Sequence, residues 1–375
     1  MAGKGFAFRF APLRPESEEF LHLDALRIVA ALAIVTFHWG GSHAGWLTNA
    51  AHLDLQPLAS FVDLFFVISG VVICRVYNGM ANFGAFVSFM RKRFARLAPL
   101  HYAMLAVYVA IGLAAPLAGM ALNEPDKYDM SCVVPNLLFL QATPACPKLT
   151  FNFPSWSIGA EMMCYMIFPL LLALYRVRVW APAALAVAMM GTLYAIGPAG
   201  PLHRLWVEWT FEWSVLRALP AFALGVSLYG LRRPLARVPM PGVLIYAALA
   251  LFALMMVARV WLGLFLPVAY VIAALALAAD ERGKTGAVVR TLAPWGQLTY
   301  GVYMLHAVFM TVLFSIGFDR LLHMTPAVKA FAVVASVPLL LAAAYLSLNL
   351  FERPARRWLQ GSGRPRAVEM GLEPR

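Results

Sequence analysis

Residues 21–40 read LHLDALRIVAALAIVTFHWG, a run that is apolar apart from two histidines, Asp24, Arg27 and a threonine. Its length matches the roughly 20 residues with which a helix crosses a bilayer core of about 30 Å. The same pattern recurs along the chain, with long apolar runs separated by short polar or arginine-bearing ones. Reading them at helical length predicts about ten transmembrane helices over 22–39, 57–77, 97–119, 154–175, 179–197, 209–231, 240–258, 262–279, 294–318 and 327–350. A membrane barrel needs alternating segments of about ten residues, and none is present in the sequence. Composition agrees: 62% of the 375 residues are apolar and 13% are charged, against about 25% charged in soluble chains. The expected fold class is an all-α polytopic membrane protein, and a soluble globular or disordered chain is excluded.

The net charge of +12 would suit a nucleic-acid partner, but the distribution of the basic residues points elsewhere. With ten spans both termini share one side. That side carries Lys4, Arg9, Arg14, Arg75, Arg91, Lys92, Arg93, Arg96, Arg176, Arg178, Arg232, Arg233, Arg237, Arg282, Lys284, Arg290 and six arginines after residue 352. The other side carries Lys127, Lys148, Arg204, Arg259, Arg320 and Lys329, so the ratio is 22 to 6. By the positive-inside rule both termini are expected in the cytoplasm, and the basicity is mostly topogenic. No nucleic-acid partner is expected; the bilayer is, and a homo-oligomer is compatible with such a chain. No cleavable signal peptide is expected, because Glu16, Glu18 and Glu19 precede the first run and Arg27 interrupts it. The expected organisation is a cytoplasmic N-terminal segment (1–21), a transmembrane domain (22–352) and a basic cytoplasmic tail (353–375). Cys132 and Cys146 share the longest outside loop, where they either form a disulfide or remain free thiols.

Ionisable groups inside a span are costly and therefore mark candidate sites. Arg27 and His38 are eleven residues apart, on nearly the same helix face and roughly 16 Å apart along the axis. Asp24, one turn from Arg27, is placed to pair with it. In VDLFFVISG (62–70) Asp63 lies in an apolar run, and Gly70 permits close approach of another helix. RKRFARLAPLHY (91–102) sets Arg93 and Arg96 one turn apart, where they can grip phosphate together or serve as topogenic anchors, with Pro99 at the start of the third helix. In PSWSIGAEMMCYMIFP (154–169), Trp156 opens the helix, and Ser157, Glu161 and Tyr165 make one polar face at i, i+4 spacing. The buried Glu161 requires a cation or hydroxyl donor from another helix. LTYGVYMLH (298–306) carries Tyr300, Tyr303 and His306, the last placed to share a bond with a tyrosine. NLFERPARRW (349–358) carries Glu352 at the cytoplasmic boundary.

Taken in order, these segments resemble the acyltransferase 3 family of integral membrane O-acyltransferases over nearly the whole chain. LDALRIVAALAIVTFH is similar to the family's first-helix pattern of a basic residue, ten others and histidine; VDLFFVISG to its second-helix signature; RKRFARLAPLHY to its Arg-x-x-Arg segment. PSWSIGAEMMCY resembles the Trp-Ser-x-x-x-Glu block, LTYGVYMLH the Ser/Thr-Tyr-x-x-Tyr-x-x-His block and FERPARRW the terminal Glu-x-Pro. Ala25 and Ile28 stand where the family usually has glycines, and Ile68 where it has leucine. No esterase-like sequence follows the last span, which favours direct transfer to an acceptor over transfer through a fused domain.

The resemblance implies an enzyme of the inner (cytoplasmic) membrane that moves an acyl group, most often acetyl, from cytoplasmic acyl-CoA to a hydroxyl of a glycan, lipid-linked sugar or related acceptor. Acyl-CoA, with acetyl-CoA foremost, is then the co-substrate, and no metal is expected because thiolate is a good leaving group. Arg93 and Arg96 suit CoA phosphates, and Arg27 suits CoA or the thioester oxygen. His38 suits a general base or a nucleophile forming an acyl-histidine, and Glu161, whose carboxylate suits the hydroxyls of an acceptor sugar, is the second catalytic candidate. The competing expectation is a proton-coupled transporter or flippase of a glycan precursor, using buried Asp63, Glu161 and Glu212. A purely structural subunit is the third.

Overall fold

The computed structural model describes residues 10–117, 119, 122, 124–197 and 205–360. Lys4, Arg9, Arg204, Arg364, Arg366 and Arg375 of the charge count lie outside these residues, as do parts of the segments expected over 1–21 and 353–375. The long apolar helices are α1 (Leu21–Ser42), α2 (Phe61–Tyr77), α3 (Phe83–Leu117), α4 (Trp156–Val177), α5 (Ala181–Ile196), α6 (Ser214–Leu235), α7 (Pro241–Val257), α8 (Phe265–Glu281), α9 (Ala287–Leu321) and α10 (Pro326–Gln360). Eight are long and apolar enough to cross a membrane, and α5 and α7 are apolar but shorter. Among the described residues there is no strand. The all-α polytopic class stands, and each of the ten expected spans has its helix.

Several boundaries differ: α9 starts at 287 and not 294, α10 runs to 360 and not 350, and α6 runs to 235 and not 231, while two helix starts differ for local reasons. α3 begins at Phe83, not 97, so Pro99 lies inside the helix and not at its start. A proline interrupts the hydrogen-bond ladder, but a helix in a bundle tolerates it where neighbouring side chains attend to the disturbed turn. The carbonyl that Pro99 leaves without its ladder donor is that of Ala95; the Tyr300 hydroxyl donates two residues further on, to the Leu97 carbonyl at 2.5 Å. α6 begins at Ser214, not 209, because the Trp209 carbonyl is turned onto Arg217 Nη1 (3.3 Å).

Small residues set the packing. A Cβ on Gly70 would stand 2.1 Å from the Phe222 carbonyl oxygen, and one on Gly225 would stand 2.1 Å from that of Val67, so α2 and α6 cross with backbones in contact. Seven residues before Gly70 is Asp63, and eight before Gly225 is Arg217. The close crossing of these two parallel helices brings the pair together two turns away. Arg217 Nη2 meets Asp63 Oδ2 at 2.6 Å, and its Nε reaches both carboxylate oxygens at 3.2 and 3.3 Å. Both side chains are buried. α1 lies between two apolar clusters. Leu23, Leu26, Ala30 and Ile34 face the bundle of α2, α4, α6 and α8, while Ile28, Ala31, Val35 and Trp39 face α9 and α10. Its first N–H groups are satisfied by Asp280 of α8, which accepts from the backbone of His22 (2.8 Å) and Leu23 (3.2 Å).

The two ends of the described chain lie together, for the Tyr345 hydroxyl of α10 donates to the Ala11 carbonyl at 3.1 Å. At the opposite end the loop between α3 and α4 is closed by a Cys132–Cys146 disulfide. This loop seats Phe151 and the cystine against Leu105 and Tyr108 of α3.

The Asp63–Arg217 pair generates a prediction. Removing one partner leaves an uncompensated buried charge, at a cost of about 3–5 kcal/mol. Arg217→Met and Asp63→Leu should each lower the melting temperature of the detergent-solubilised protein strongly, and the double variant should recover most of the loss. A double variant no more stable than the worse single one would contradict this account.

Candidate functional site

At the end of the bundle where the described termini lie, Arg27 of α1 and Arg93 and Arg96 of α3 converge on a cavity of about 100 Å³. Neither helix supplies an acid to both Arg27 and Arg96; Glu16, from the segment before α1, does. Its Oε2 lies 2.6 Å from Arg27 Nη1 and its Oε1 lies 2.9 Å from Arg96 Nη2. Burial alone would push the Glu16 carboxyl up, but Arg96 and Arg27 outweigh burial and hold it well below the ordinary glutamate range. Asp24 fixes the segment from beneath, accepting from the backbone N–H groups of Glu16 (2.8 Å) and Ser17 (3.2 Å), with Arg27 Nη1 3.6 Å from its other oxygen. Arg93 is turned aside: its guanidinium lies over the Tyr77 ring and donates to the Tyr77 hydroxyl at 3.3 Å. The Arg93–Arg96 pair thus faces one cavity from two directions.

The far wall of this cavity is α4. Glu161 accepts from the Ser69 hydroxyl of α2 at 2.7 Å and from the Tyr165 hydroxyl, and Ser69 and Tyr165 also touch at 3.2 Å. The donor that Glu161 requires from another helix is therefore Ser69. Ser157, one turn earlier, turns to α9 and donates to the Tyr303 hydroxyl at 2.8 Å. The polar face of Ser157, Glu161 and Tyr165 does line one cavity, but its members have separate partners. Tyr300 lines the same cavity. Glu352 accepts from Ser347 (2.8 Å) beneath Gly301, whose missing side chain leaves room for the carboxylate.

His38 does not open onto this cavity. It lines a second one of about 500 Å³, together with Trp156, Thr210, Glu208 and Arg217. Val62 and Tyr303 line both cavities and form the wall between them. His38 Nδ1 lies 3.0 Å from His306 Nε2, and the two rings stack. His306 pairs with His38 and not with a tyrosine, because α9 brings it level with the end of α1, where the Trp39 indole N–H also donates to the His306 carbonyl (3.1 Å). The pairing leaves Nε2 as the ring nitrogen through which His38 can exchange a proton with a molecule in the second cavity. Arg217 lies under the Trp156 ring (5.3 Å), so the Asp63 pair that locks α2 to α6 also fixes an aromatic wall of this cavity.

Three residues of the site were missed in the sequence. Glu16 reads there as an ordinary acid ahead of a span. Ser69 is one hydroxyl in an apolar run. Arg217 is a single cation that the charge count assigned to neither side. A buried arginine within a span is the one available signal, since it demands a carboxylate and Asp63 was the unpartnered candidate.

The site is thus an α-helical bundle that holds cations around one cavity and a paired histidine in a second cavity beyond Tyr303. Residues 20–346 match the acyltransferase domain of the acyltransferase 3 family. The chain belongs to that family and is a membrane acyltransferase. It is 28% identical over 388 residues to acyltransferase MdmB of Streptomyces mycarofaciens, covering 94% of this chain and 95% of that protein. It is also 32% identical over 169 residues to protein 2 in the picA locus of Rhizobium radiobacter, covering 40% of this chain and 81% of that protein. No solved structure matches.

The Glu161 cluster is open to a direct test. Glu161→Gln keeps size but exchanges one acceptor oxygen for a donor, which sets the amide against the Ser69 and Tyr165 hydroxyls. The expected outcome is a folded protein whose transfer rate falls about tenfold or more. Melting temperature and turnover measured on the same purified sample check it, and normal turnover per folded molecule would reduce Glu161 to a packing role.

Proposed function

We propose that the chain is an acyl-CoA-dependent O-acyltransferase of the inner membrane, moving acetyl or a similarly short acyl group to a hydroxyl of a glycan, a lipid-linked sugar or a related acceptor. The observation that carries this reading is the pair of cavities meeting at Tyr303 and Val62, one walled by arginines and the other by His38. Acyl-CoA combines a polyanionic head with a slender thioester arm. Arg27, Arg93 and Arg96 suit the phosphates, which would share or displace Glu16, and the arm would run along Ser69, Glu161 and Tyr165 toward Tyr303.

The acceptor hydroxyl then stands at His38. In the tautomer that suits a base, His38 Nδ1–H donates to His306 Nε2 and the lone pair sits on Nε2. That nitrogen takes the hydroxyl proton as the oxygen attacks the thioester carbonyl. The C–S bond breaks as the C–O bond forms, and CoA leaves as thiolate and takes the proton back from His38 as free thiol. Orientation follows the basic residues, which face the cytoplasm in this reading; a disulfide at the opposite end suits an oxidising exterior. The carrier reading gains nothing from Asp63, whose carboxylate is tied to Arg217.

Release of free CoA thiol from acetyl-CoA by the purified protein, with a membrane lipid and glycan extract as acceptor, tests the activity. Mass spectrometry of surface glycans and lipids from cells with and without the chain identifies the acceptor. His38→Ala should insert and fold normally while losing transfer by about a hundredfold or more; near-normal turnover would sink the role given to His38. Replacing Arg93 and Arg96 together by Ala should raise KM for acyl-CoA about tenfold or more, with Lys recovering part of the loss because the planar fork is gone. Unchanged acyl-CoA affinity in calorimetry would return the pair to topogenic anchoring.

A further inference from the structure

At the arginine end of the bundle the last turns of α10 run antiparallel to the first turns of α3. The Gln360 carbonyl lies at Arg91, accepting from its Nη2 at 3.4 Å. Further back along α10, Glu352 lies against Gly301, beside the Tyr300 whose hydroxyl reaches the Leu97 carbonyl. Arg356 is one turn from Gln360 and one from Glu352, so it stands level with Arg93 and Arg96. Arg353 holds the same stretch of α10 to α9, donating to Gln297 Oε1 at 2.8 Å.

In the charge count Arg356 is one topogenic cation among many, but its surroundings set it apart. The charges that act on it most are those of Arg96 and Arg93, which repel it, and that of Glu16, which attracts it. Glu16 already bridges Arg27 and Arg96, and Glu352 accepts from Ser347. Among the described residues Arg356 has no hydrogen bond and no ion pair, and it is exposed. A guanidinium set beside two others, on a helix end anchored to both α3 and α9, suits an anion, because an anion between them replaces repulsion by attraction. Arg356 is not among the residues that wall the cavity of about 100 Å³, so such an anion lies outside that cavity.

We propose that Arg356 holds the ribose 3′-phosphate of the acyl-CoA donor, and so selects acyl-CoA over an acyl group carried on a pantetheine arm that lacks this phosphate. The proposal rests on the acyl-CoA reading of the arginine cavity. In CoA the diphosphate joins the pantetheine arm directly, whereas the 3′-phosphate lies one nucleoside further out. With the arm in the cavity, Arg93 and Arg96 in its wall meet the diphosphate and Arg356 outside it meets the 3′-phosphate. A phosphate monoester carries a charge of about −1.5 to −2 at pH 7, and a guanidinium can grip two of its oxygens at once.

The test is calorimetry on the full chain in detergent with two donors, acetyl-CoA and acetyl-3′-dephospho-CoA. Wild type should bind acetyl-CoA about tenfold or more tighter than the dephospho form. Arg356→Ala should bind acetyl-CoA as weakly as wild type binds the dephospho form, with its affinity for the dephospho form unchanged. Arg356→Lys should recover part of the difference, and Arg357→Ala, on the neighbouring exposed position, should keep all of it. Equal affinity of wild type for the two donors overturns the proposal without any variant and leaves the acyl-CoA reading standing, as does an Arg356→Ala variant that weakens both donors alike or neither. Wild type that binds neither donor refutes the acyl-CoA reading itself, and this role with it. Phosphatidylglycerol supplies the other anion of that surface. If Arg356→Ala loses thermal stabilisation by phosphatidylglycerol while keeping both donor affinities, the arginine serves the bilayer and the proposal falls.

Discussion

A charge withdrawn from water into an apolar bundle must be met by an opposite charge, and in this chain that requirement ties the elements together. Asp63 and Arg217 join α2 to α6, Glu16 joins the N-terminal segment to α1 and α3, and Asp280 joins α8 to the first turn of α1. None of these pairs needs to add much net stability, because desolvation cancels most of the attraction. What each does is exclude alternatives. Rotating α2 by one residue would leave Asp63 facing hydrocarbon, and sliding the N-terminal segment would expose two arginines to each other.

The same constraint shapes the site. Arg217 neutralises Asp63 and also underlies Trp156, so the wall of the His38 chamber is as rigid as the ion pair behind it. Glu16 keeps Arg27 and Arg96 apart and aimed at one point before any ligand arrives. An anion entering there meets guanidinium groups already oriented, and the fixed cost of gathering them is borne by the fold. Tyr303, hydrogen-bonded to Ser157 and to the Pro154 carbonyl at 3.1 Å, stands between the two chambers with both of its partners in the opening turns leading into α4.

How much of this could be read in advance depended on sequence distance. The spans were legible because a bilayer-crossing helix is set by local apolar length, and Arg93 with Arg96 was legible because one turn separates them. The partner of Asp63 was not, since Arg217 lies 154 residues on and only the contact of Gly70 with Gly225 brings it near. The histidine pair spans 268 residues; each ring was singled out, but nothing local joined them, and a nearby tyrosine was the natural guess for His306. Pro99 misled for a different reason. The rule that places proline at a helix start holds for helices in water, whereas here the helix runs on through Pro99 inside a packed bundle.

The Glu16 clasp and the histidine pair also differ in when they can exist. A membrane protein is made from its amino end, and contacts form only after both partners have emerged. Glu16 and Arg96 are 80 residues apart, so the clasp can close while most of the chain is still unmade and only the first three helices are in place. His38 waits for α9. Until then its ring has Phe153 at its edge but not His306, and the nascent chain holds its cations ready before its imidazole has that partner. The order of synthesis therefore closes the Glu16 clasp first, while both cavities wait for the residues of α9 that line them.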